Sequence, residues 1–212
     1  MSIQMAYTNW STTYDEDQNL TRDLDQAVTR RVLGDRHYQS VLELGCGTGK
    51  NTAFLAEIGR NVHALDFSEG VIDRAREKVR ASHVTFAVAD LSQSWQCADR
   101  SADLIVCNLV LEHLSDLGFI FAEAARVLTP GGQFFLCELH PFRQYGGTKA
   151  NFQNGGETTE IQAFVHHVSD FTDAAQARGL ALKNFKEWWH EEDAGKPPRL
   201  VSFRFAKPGV RE

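Results

Sequence analysis

The sequence predicts a doubly wound α/β fold, a single domain built on a mostly parallel sheet. Three observations lead there. Short apolar strands alternate with helical stretches from residue 20 to residue 139, the order that parallel pairing with right-handed crossovers requires. Several strands are continuously apolar, Leu104 to Leu109 most clearly, as in a sheet covered on both faces. The chain of 212 residues is 42% hydrophobic and 24% charged, which suits a globular protein with one substantial core.

The elements follow in order. From Leu20, apolar residues recur at Leu24, Ala27, Val28 and Val32, a helical spacing that Gly34 ends. Ser40 to Leu44 is a short strand, and Thr52 to Ile58 a helix. Asn61 to Leu65 is a strand ending at Asp66, and Glu69 to Arg80 an amphipathic helix through Val71, Ile72, Ala75 and Val79. Val84 to Ala89 leads to Asp90, and Leu104 to Leu109 is the fourth strand. Leu117, Ile120, Phe121, Ala124 and Leu128 line one helical face. Thr129-Pro-Gly-Gly then reads as a turn before a strand at Gln133 to Leu139. The polar, glycine-rich stretch His140 to Gly156 breaks this rhythm. Val168 to Arg178 resumes as helix. Leu180 to Trp189 and Leu200 to Ala206 are two last strands, and the Gly195-Lys-Pro-Pro turn between them predicts an antiparallel hairpin.

Composition narrows the function. The net charge of −6 lacks the basic excess of a nucleic-acid binder, so no nucleic-acid partner is expected. No apolar run approaches the ~20 residues that span a bilayer, and the N-terminal segment lacks the basic start and apolar core of a signal peptide. Cys46, Cys97, Cys107 and Cys137 show no CxxC spacing and read as free thiols of a reducing compartment, so a cytoplasmic location is expected.

In a doubly wound sheet, ligands sit at the carboxyl ends of the strands, where strand order reverses. The first strand ends in Glu43-Leu-Gly45-Cys46-Gly47-Thr-Gly49, where glycines permit a tight turn and close approach of a ligand to the backbone. A nicotinamide site prefers GxGxxG with pyrophosphate at the helix N-terminus. Here the third glycine comes one position early, and the Glu43 carboxylate would repel pyrophosphate while suiting a cationic ligand with a free amino group. Asp66, 21 residues after Gly45, can accept ribose hydroxyls in either ligand class. Asp90 with Leu91 can reach an adenine amine, or Asp90 caps a helix. Asn108 ends an apolar strand and would face the crevice.

These pieces resemble the class I S-adenosylmethionine-dependent methyltransferases of the small-molecule, type 11-like kind. The matching segments are Glu43 to Gly49, Asp66-Phe67-Ser68, Asp90-Leu91, Asp103 to Leu114 and Arg126 to Gly132, in the family's order from about residue 38 to 139. Tyr7, Trp10 and Tyr14 resemble an aromatic lid segment that often precedes this core. The resemblance implies a seven-stranded sheet with an antiparallel final hairpin. It also implies that the Gly45–Gly49 backbone, Cys46 included, holds the methionine part, with Asp66 and Phe67 at the ribose. Asp90 and Leu91 would then meet the adenine, and Asn108 and Leu109 the methionine side. Trp10 and Tyr14 would close over the cofactor, and Tyr7 over the substrate. The domain would then divide into an N-terminal lid and helix (1–36), a cofactor-binding core (37–139), a substrate lid (140–167) and a C-terminal helix and hairpin (168–212).

Methyl transfer from a sulfonium needs positioning, desolvation and, for some acceptors, removal of a proton. His140 directly follows the fifth strand and is the foremost candidate base, or else a turn residue. His113, in Leu-Glu-His-Leu, is a second candidate or a pocket-lining structural residue. His166 and His167 are neighbours, so in an extended segment one of them points to the pocket. His167 is taken as the third base candidate and His166 as a substrate contact. Arg143, Tyr145 and Lys149 suit an anionic substrate or are solvated loop residues. Trp188 and Trp189 divide between core and pocket, Trp188 being taken for the pocket. The histidine spacing does not make a metal site. The leading expectation is methyl transfer to an O, N or C nucleophile of a small molecule, by a monomer or homodimer, giving S-adenosylhomocysteine. The alternatives are a catalytically silent adenosylmethionine-binding module and a nicotinamide-dependent oxidoreductase.

Overall fold

The computed structural model of the chain describes residues 19–147, 151–154, 157–160 and 163–209. Helix α1 (Leu20–Leu33) begins where Asn19 Oδ1 accepts the N–H groups of Thr21 and Arg22, each at 3.1 Å, satisfying donors that have no partner inside the helix. Then come β1 (Val41–Leu44), α2 (Lys50–Ile58), β2 (Val62–Asp66), α3 (Glu69–Lys78) and β3 (Val84–Val88). β4 (Ala102–Asn108) leads through a 3-10 turn (Leu111–His113) to α4 (Leu117–Val127) and β5 (Leu128–Leu139). The insert carries α5 (Pro141–Tyr145) and the strands β6 (Asn151–Asn154) and β7 (Glu157–Glu160). Helix α6 (Val168–Ala177), β8 (Ala181–Trp188) and β9 (Leu200–Ala206) follow.

The sheet has seven strands in the order β3-β2-β1-β4-β5-β9-β8. β1 to β5 pair in parallel, and β9 is antiparallel to both β5 and β8. This is the predicted doubly wound sheet with its antiparallel hairpin. Successive side chains of a strand point to opposite faces, and the apolar strands feed two cores. Val41, Val62, Leu104, Val106 and Phe135 pack with Val28 and Leu33 of α1 and Phe54 and Leu55 of α2. Their alternating neighbours Leu42, Leu44, Leu65, Ile105 and Phe134 pack with Phe121 of α4 and Phe171 of α6. Chain order reverses between β1 and β4, which opens a crevice at their carboxyl ends.

Three expectations need adjustment. Thr129-Pro-Gly-Gly lies within β5 instead of preceding it. Ala102 pairs with Leu128 and Leu104 with Gln133, so the turn is absorbed as an irregularity of the strand. Gly131 there donates to Lys207 O at 2.9 Å. The helix expected to reach Arg80 stops at Lys78, because Val79 is extended, with φ −111° and ψ 98°. The insert, expected to be irregular, contains α5 and a small hairpin. Among the described residues no helix is long and apolar enough to cross a membrane.

Candidate active site

A cavity of about 660 Å³ lies at the carboxyl ends of β1, β2 and β4, within the size range of small-molecule sites. Its floor is the loop after β1. Gly45, Gly47 and Gly49 have φ of +70°, +54° and +83°, values that side-chain-bearing residues rarely adopt. A Cβ on Gly45 would stand 2.2 Å from Val110 Cγ2, whereas one on Gly47 would meet no atom within 4 Å. The first glycine therefore lets the turn after β4 close onto the loop. The second leaves an open cradle for a ligand.

Asp66, at the end of β2, is buried beside this loop. Its carboxylate accepts the Gly47 N–H at 2.9 Å and the Ser68 N–H at 3.0 Å. Burial raises its pKa, and these backbone bonds oppose the rise. Phe67 follows it in the cavity wall. Asp90 Oδ1 accepts from Ser92 N at 2.9 Å and Ser92 Oγ at 2.7 Å, shaping a turn that presents Asp90 and Leu91 to the cavity. Asn108 and Leu109 line it from the end of β4.

The cavity also holds a buried acidic cluster. Glu43 Oε2 accepts from Thr52 Oγ1 at 2.6 Å. Burial, with the nearby charges of Asp25 and Asp66, pushes the Glu43 carboxyl up to about 8 against the hydrogen bond from Thr52. Asp25, on α1, accepts from Asn51 Nδ2 at 2.8 Å, and burial pushes it up to about 6. Asn108 Nδ2 donates to Thr29 Oγ1 at 2.7 Å. Three further oxygens of this group, Asp25 Oδ1, Asn51 Oδ1 and Asn108 Oδ1, are buried with no hydrogen-bond partner among the described residues. An excess of buried acceptors calls for a donor, and the ammonium group of an amino-acid ligand is one. A pyrophosphate has no donor to offer and would leave these acceptors unmet. The residues therefore fit S-adenosylmethionine and do not fit a dinucleotide.

Of the expected cofactor contacts, the structure brings Glu43, Gly45, Cys46, Gly47, Asp66, Phe67, Asp90, Leu91, Asn108 and Leu109 to this one cavity. Gly49 caps α2 just behind it. Tyr7, Trp10 and Tyr14 lie outside the described residues, as does Lys149.

The substrate-side residues divide differently. His113 lines the cavity, its Nε2 4.0 Å from Glu112 Oε1. His140 does not line it. Its Nδ1 accepts the Phe142 N–H at 3.1 Å, so Nε2 carries the proton that is shared with Glu187 Oε1 at 2.9 Å. Burial lowers its pKa, against the pull of Glu187. The ring caps α5 and has no free nitrogen for a substrate. His166 is also absent from the lining, and its Nε2 serves the carbonyls of Leu111 and Leu114. Tyr145 and His167 hydrogen-bond to each other on the exposed surface of the insert, apart from the lining residues. Arg143 is held 2.7 Å from the fully buried carboxylate of Asp193, so it is committed to an ion pair and not to an anionic substrate. Trp188 is core: it packs with Val28 and donates to Ser202 Oγ at 2.8 Å. Trp189 is exposed.

Arg22, Asp25, Asn51 and Phe164 also line the cavity, and sequence reasoning missed all four. Asp25 had a signal. It shares the buried stripe of α1 with Val28, Thr29 and Leu33, so it is a charge at a core-facing helical position. Phe164 had none, since it stands in an irregular segment.

A family model described as a methyltransferase domain matches residues 42–136. The chain is 33% identical over 171 residues to a malonyl-[acyl-carrier protein] O-methyltransferase of Yersinia pestis, covering 80% of this chain and 59% of that protein. It spans less than two thirds of the length of the curated relatives that it matches, 65% and 59% for two of them. A solved S-adenosylmethionine-dependent methyltransferase structure from Mesorhizobium loti superposes with a TM-score of 0.74 at 20% identity, covering 89% of this chain and 100% of that one. The N-methyltransferase NodS of Bradyrhizobium japonicum, solved with S-adenosyl-L-homocysteine, superposes at 0.67 with 21% identity, covering 91% and 89%. Residues 42–136 are thus similar to a methyltransferase domain, and the fold built around them is the one that solved S-adenosylmethionine-dependent methyltransferases share.

Proposed function

We propose that this chain transfers a methyl group from S-adenosylmethionine to an O, N or C nucleophile of a small molecule and releases S-adenosylhomocysteine. The observation that carries this reading is the meeting, in one cavity, of the open Gly47 cradle with the unpartnered acceptors of Asp25, Asn51 and Asn108. When bound, the cofactor supplies a methyl group on a positively charged sulfonium. The protein's share is to bind and orient. The Gly45–Gly49 backbone receives the methionine part, and Asp66 with Phe67 receives the ribose. Asp90 and Leu91 receive the adenine. Asn108 and Leu109 meet the methionine side, and Asp25 and Glu43 favour its ammonium group.

A further stretch of wall, Val110, Leu114 and Phe164, is apolar and excludes water around the acceptor. His113 is the histidine of that wall and takes the role of proton acceptor where the substrate needs one. The relatives' named acceptors, a carrier-bound malonyl group among them, make a small acyl or amine acceptor the first class to try. The reading entails a cytoplasmic enzyme, monomer or homodimer, without nucleic-acid or membrane partners.

The test is calorimetry with S-adenosylmethionine and S-adenosylhomocysteine, followed by incubation with pooled metabolites read for the mass gain of one methyl group. Micromolar binding that raises the melting temperature is expected. Absence of binding by both adenosyl ligands overturns the assignment. Tight binding with no methylated product favours a silent binding module.

A further inference from the structure

The turn after β4 forms one wall of the cavity through Leu109, Val110, His113 and Leu114, yet little inside the turn explains its shape. Leu109 has φ +57°, a left-handed conformation that a branched side chain adopts only when its surroundings impose it. The 3-10 turn that follows is a single turn, with no side-chain cap of its own at Val110, and such turns are weakly bonded.

Two side chains from other elements hold it. Glu138, near the end of β5, is buried, and its Oε1 accepts the N–H groups of both Val110 and Leu111 at 3.2 Å. At the other end, His166 Nε2 lies 3.0 Å from Leu111 O and 2.8 Å from Leu114 O. Both neighbours are acceptors, so this nitrogen carries the proton and donates. One residue thus receives the N–H groups that open the turn, and the other donates to the carbonyls of Leu111 and Leu114, the first of which also accepts the Leu114 N–H at 3.1 Å. The main chain beside His166 adds a third tie, because Phe164 N–H donates to Glu112 O at 2.6 Å. Neither Glu138 nor His166 lines the cavity, so both act through the turn.

We propose that Glu138 and His166 are a pair of positioning residues that clamp the Leu109–Leu114 turn, so that Val110 closes over Gly45 and His113 is held against the ligand cavity. This rests on the cavity being the adenosyl-ligand site. It gives His166 a different task from substrate contact, and it gives Glu138 a task that its sequence position did not announce. Burial, and the neighbouring Glu112 carboxyl, push the Glu138 carboxyl well above the usual range. Glutamine, neutral and with the same accepting oxygen, is therefore its nearest substitute.

The experiment is amide hydrogen exchange on the full chain, paired with S-adenosylhomocysteine titration, for wild type, Glu138→Ala, Glu138→Gln and His166→Ala. Loss of buried hydrogen bonds of this kind predicts that Glu138→Ala and His166→Ala each speed exchange at residues 109–114 by about tenfold and weaken ligand binding by about tenfold. Peptides from β2 and β3 keep wild-type exchange. Glu138→Gln recovers most of both, which a merely space-filling role for the side chain would not produce. If Glu138→Ala does not fold, Glu138→Met replaces it, being similar in size but unable to accept. Wild-type exchange at 109–114 in the alanine variants, or equal losses in Gln and Ala, overturns the clamp. Faster exchange with unchanged affinity removes the turn from the ligand wall and overturns it too. A wild-type protein that binds no adenosyl ligand would sink the functional reading, while the exchange arm still decides the clamp.

Discussion

The Asp66 carboxylate accepts the Gly47 N–H at 2.9 Å, so the end of β2 is tied to the middle of the glycine loop after β1. The same carboxylate accepts the Ser68 N–H at 3.0 Å and thereby fixes the entry to α3. A side chain expected only to meet ribose hydroxyls is therefore also a brace for the backbone cradle. Asp66→Ala removes both roles. Its affinity for S-adenosylhomocysteine is expected to fall by tenfold or more, and its melting temperature by several degrees, as buried N–H groups lose their acceptor. Calorimetry and thermal unfolding measure the two losses. Full affinity with a lowered melting temperature would leave Asp66 as a brace alone.

Glu43 makes stability and binding respond to pH in opposite directions. Its carboxyl is pushed up to about 8 by burial. The folded protein thus keeps a proton that the unfolded chain gives up near the ordinary carboxylate value of 4.5. The resulting stability is complete at low pH and is lost as the pH rises through that interval toward about 8. A cationic ligand favours the ionised carboxylate, so binding releases protons. Near neutral pH, the heat of S-adenosylhomocysteine binding should vary with the ionisation enthalpy of the buffer. Glu43→Gln should melt higher than wild type above about pH 8, bind more weakly, and release fewer protons. A buffer-independent heat would show that the cluster does not titrate on binding.

Much of this was legible in the residues. Apolar strands alternating with helices fixed the sheet, because period-2 and period-3.6 patterns follow directly from backbone geometry. That Glu43, Asp66, Asp90 and Asn108 meet at one cavity was legible for a similar reason: each stands at or next to the carboxyl end of a strand, on the edge where the crevice opens. His140 directly follows a strand too, but β5 lies one strand beyond the reversal point, and there the side chain meets Glu187 of β8 and not the cavity. Arg143 and Trp188 misled for a different reason. Asp193 is distant from Arg143 in the chain, Ser202 meets Trp188 from the neighbouring strand of the hairpin, and no local pattern announces such an ion pair or core contact.

His140 and Arg143 yield a joint prediction. His140 caps α5 through Phe142 N–H and is joined to Glu187. Arg143 joins α5 to Asp193, whose carboxyl is held well below the usual range chiefly by its hydrogen bonds with Arg199, Arg143 adding to them. Both side chains therefore anchor the insert to the hairpin. His140→Ala is expected to cost about 1–2 kcal/mol of stability through the lost cap and the orphaned Phe142 N–H. Arg143→Ala is expected to cost a similar amount, since Arg199 still pairs with Asp193. Adenosyl-ligand affinity should stay at the wild-type value in both. Chemical unfolding gives the first quantity and titration the second. A large loss of affinity in either variant would return that residue to the site.

Gly45 and Gly47 sit two residues apart with positive φ, and the structure predicts different outcomes for the same substitution. At Gly45 an alanine Cβ would be driven to 2.2 Å from Val110 Cγ2, and the backbone at φ +70° adds its own strain. Val110 cannot retreat without disturbing the turn that Glu138 holds. Gly45→Ala should therefore lose about 3 kcal/mol or more of stability, from overpacking and left-handed strain together. At Gly47 the same atom meets nothing within 4 Å, leaving only the conformational strain of about 1–2 kcal/mol. Gly47→Ala should fold, melt a few degrees lower, and present a methyl group where the ligand is to lie. Its S-adenosylhomocysteine affinity should drop out of proportion to its stability. Chemical unfolding and titration of the two variants side by side test this contrast. If both lose stability equally and Gly47→Ala binds normally, the open cradle at Gly47 is not where the ligand rests.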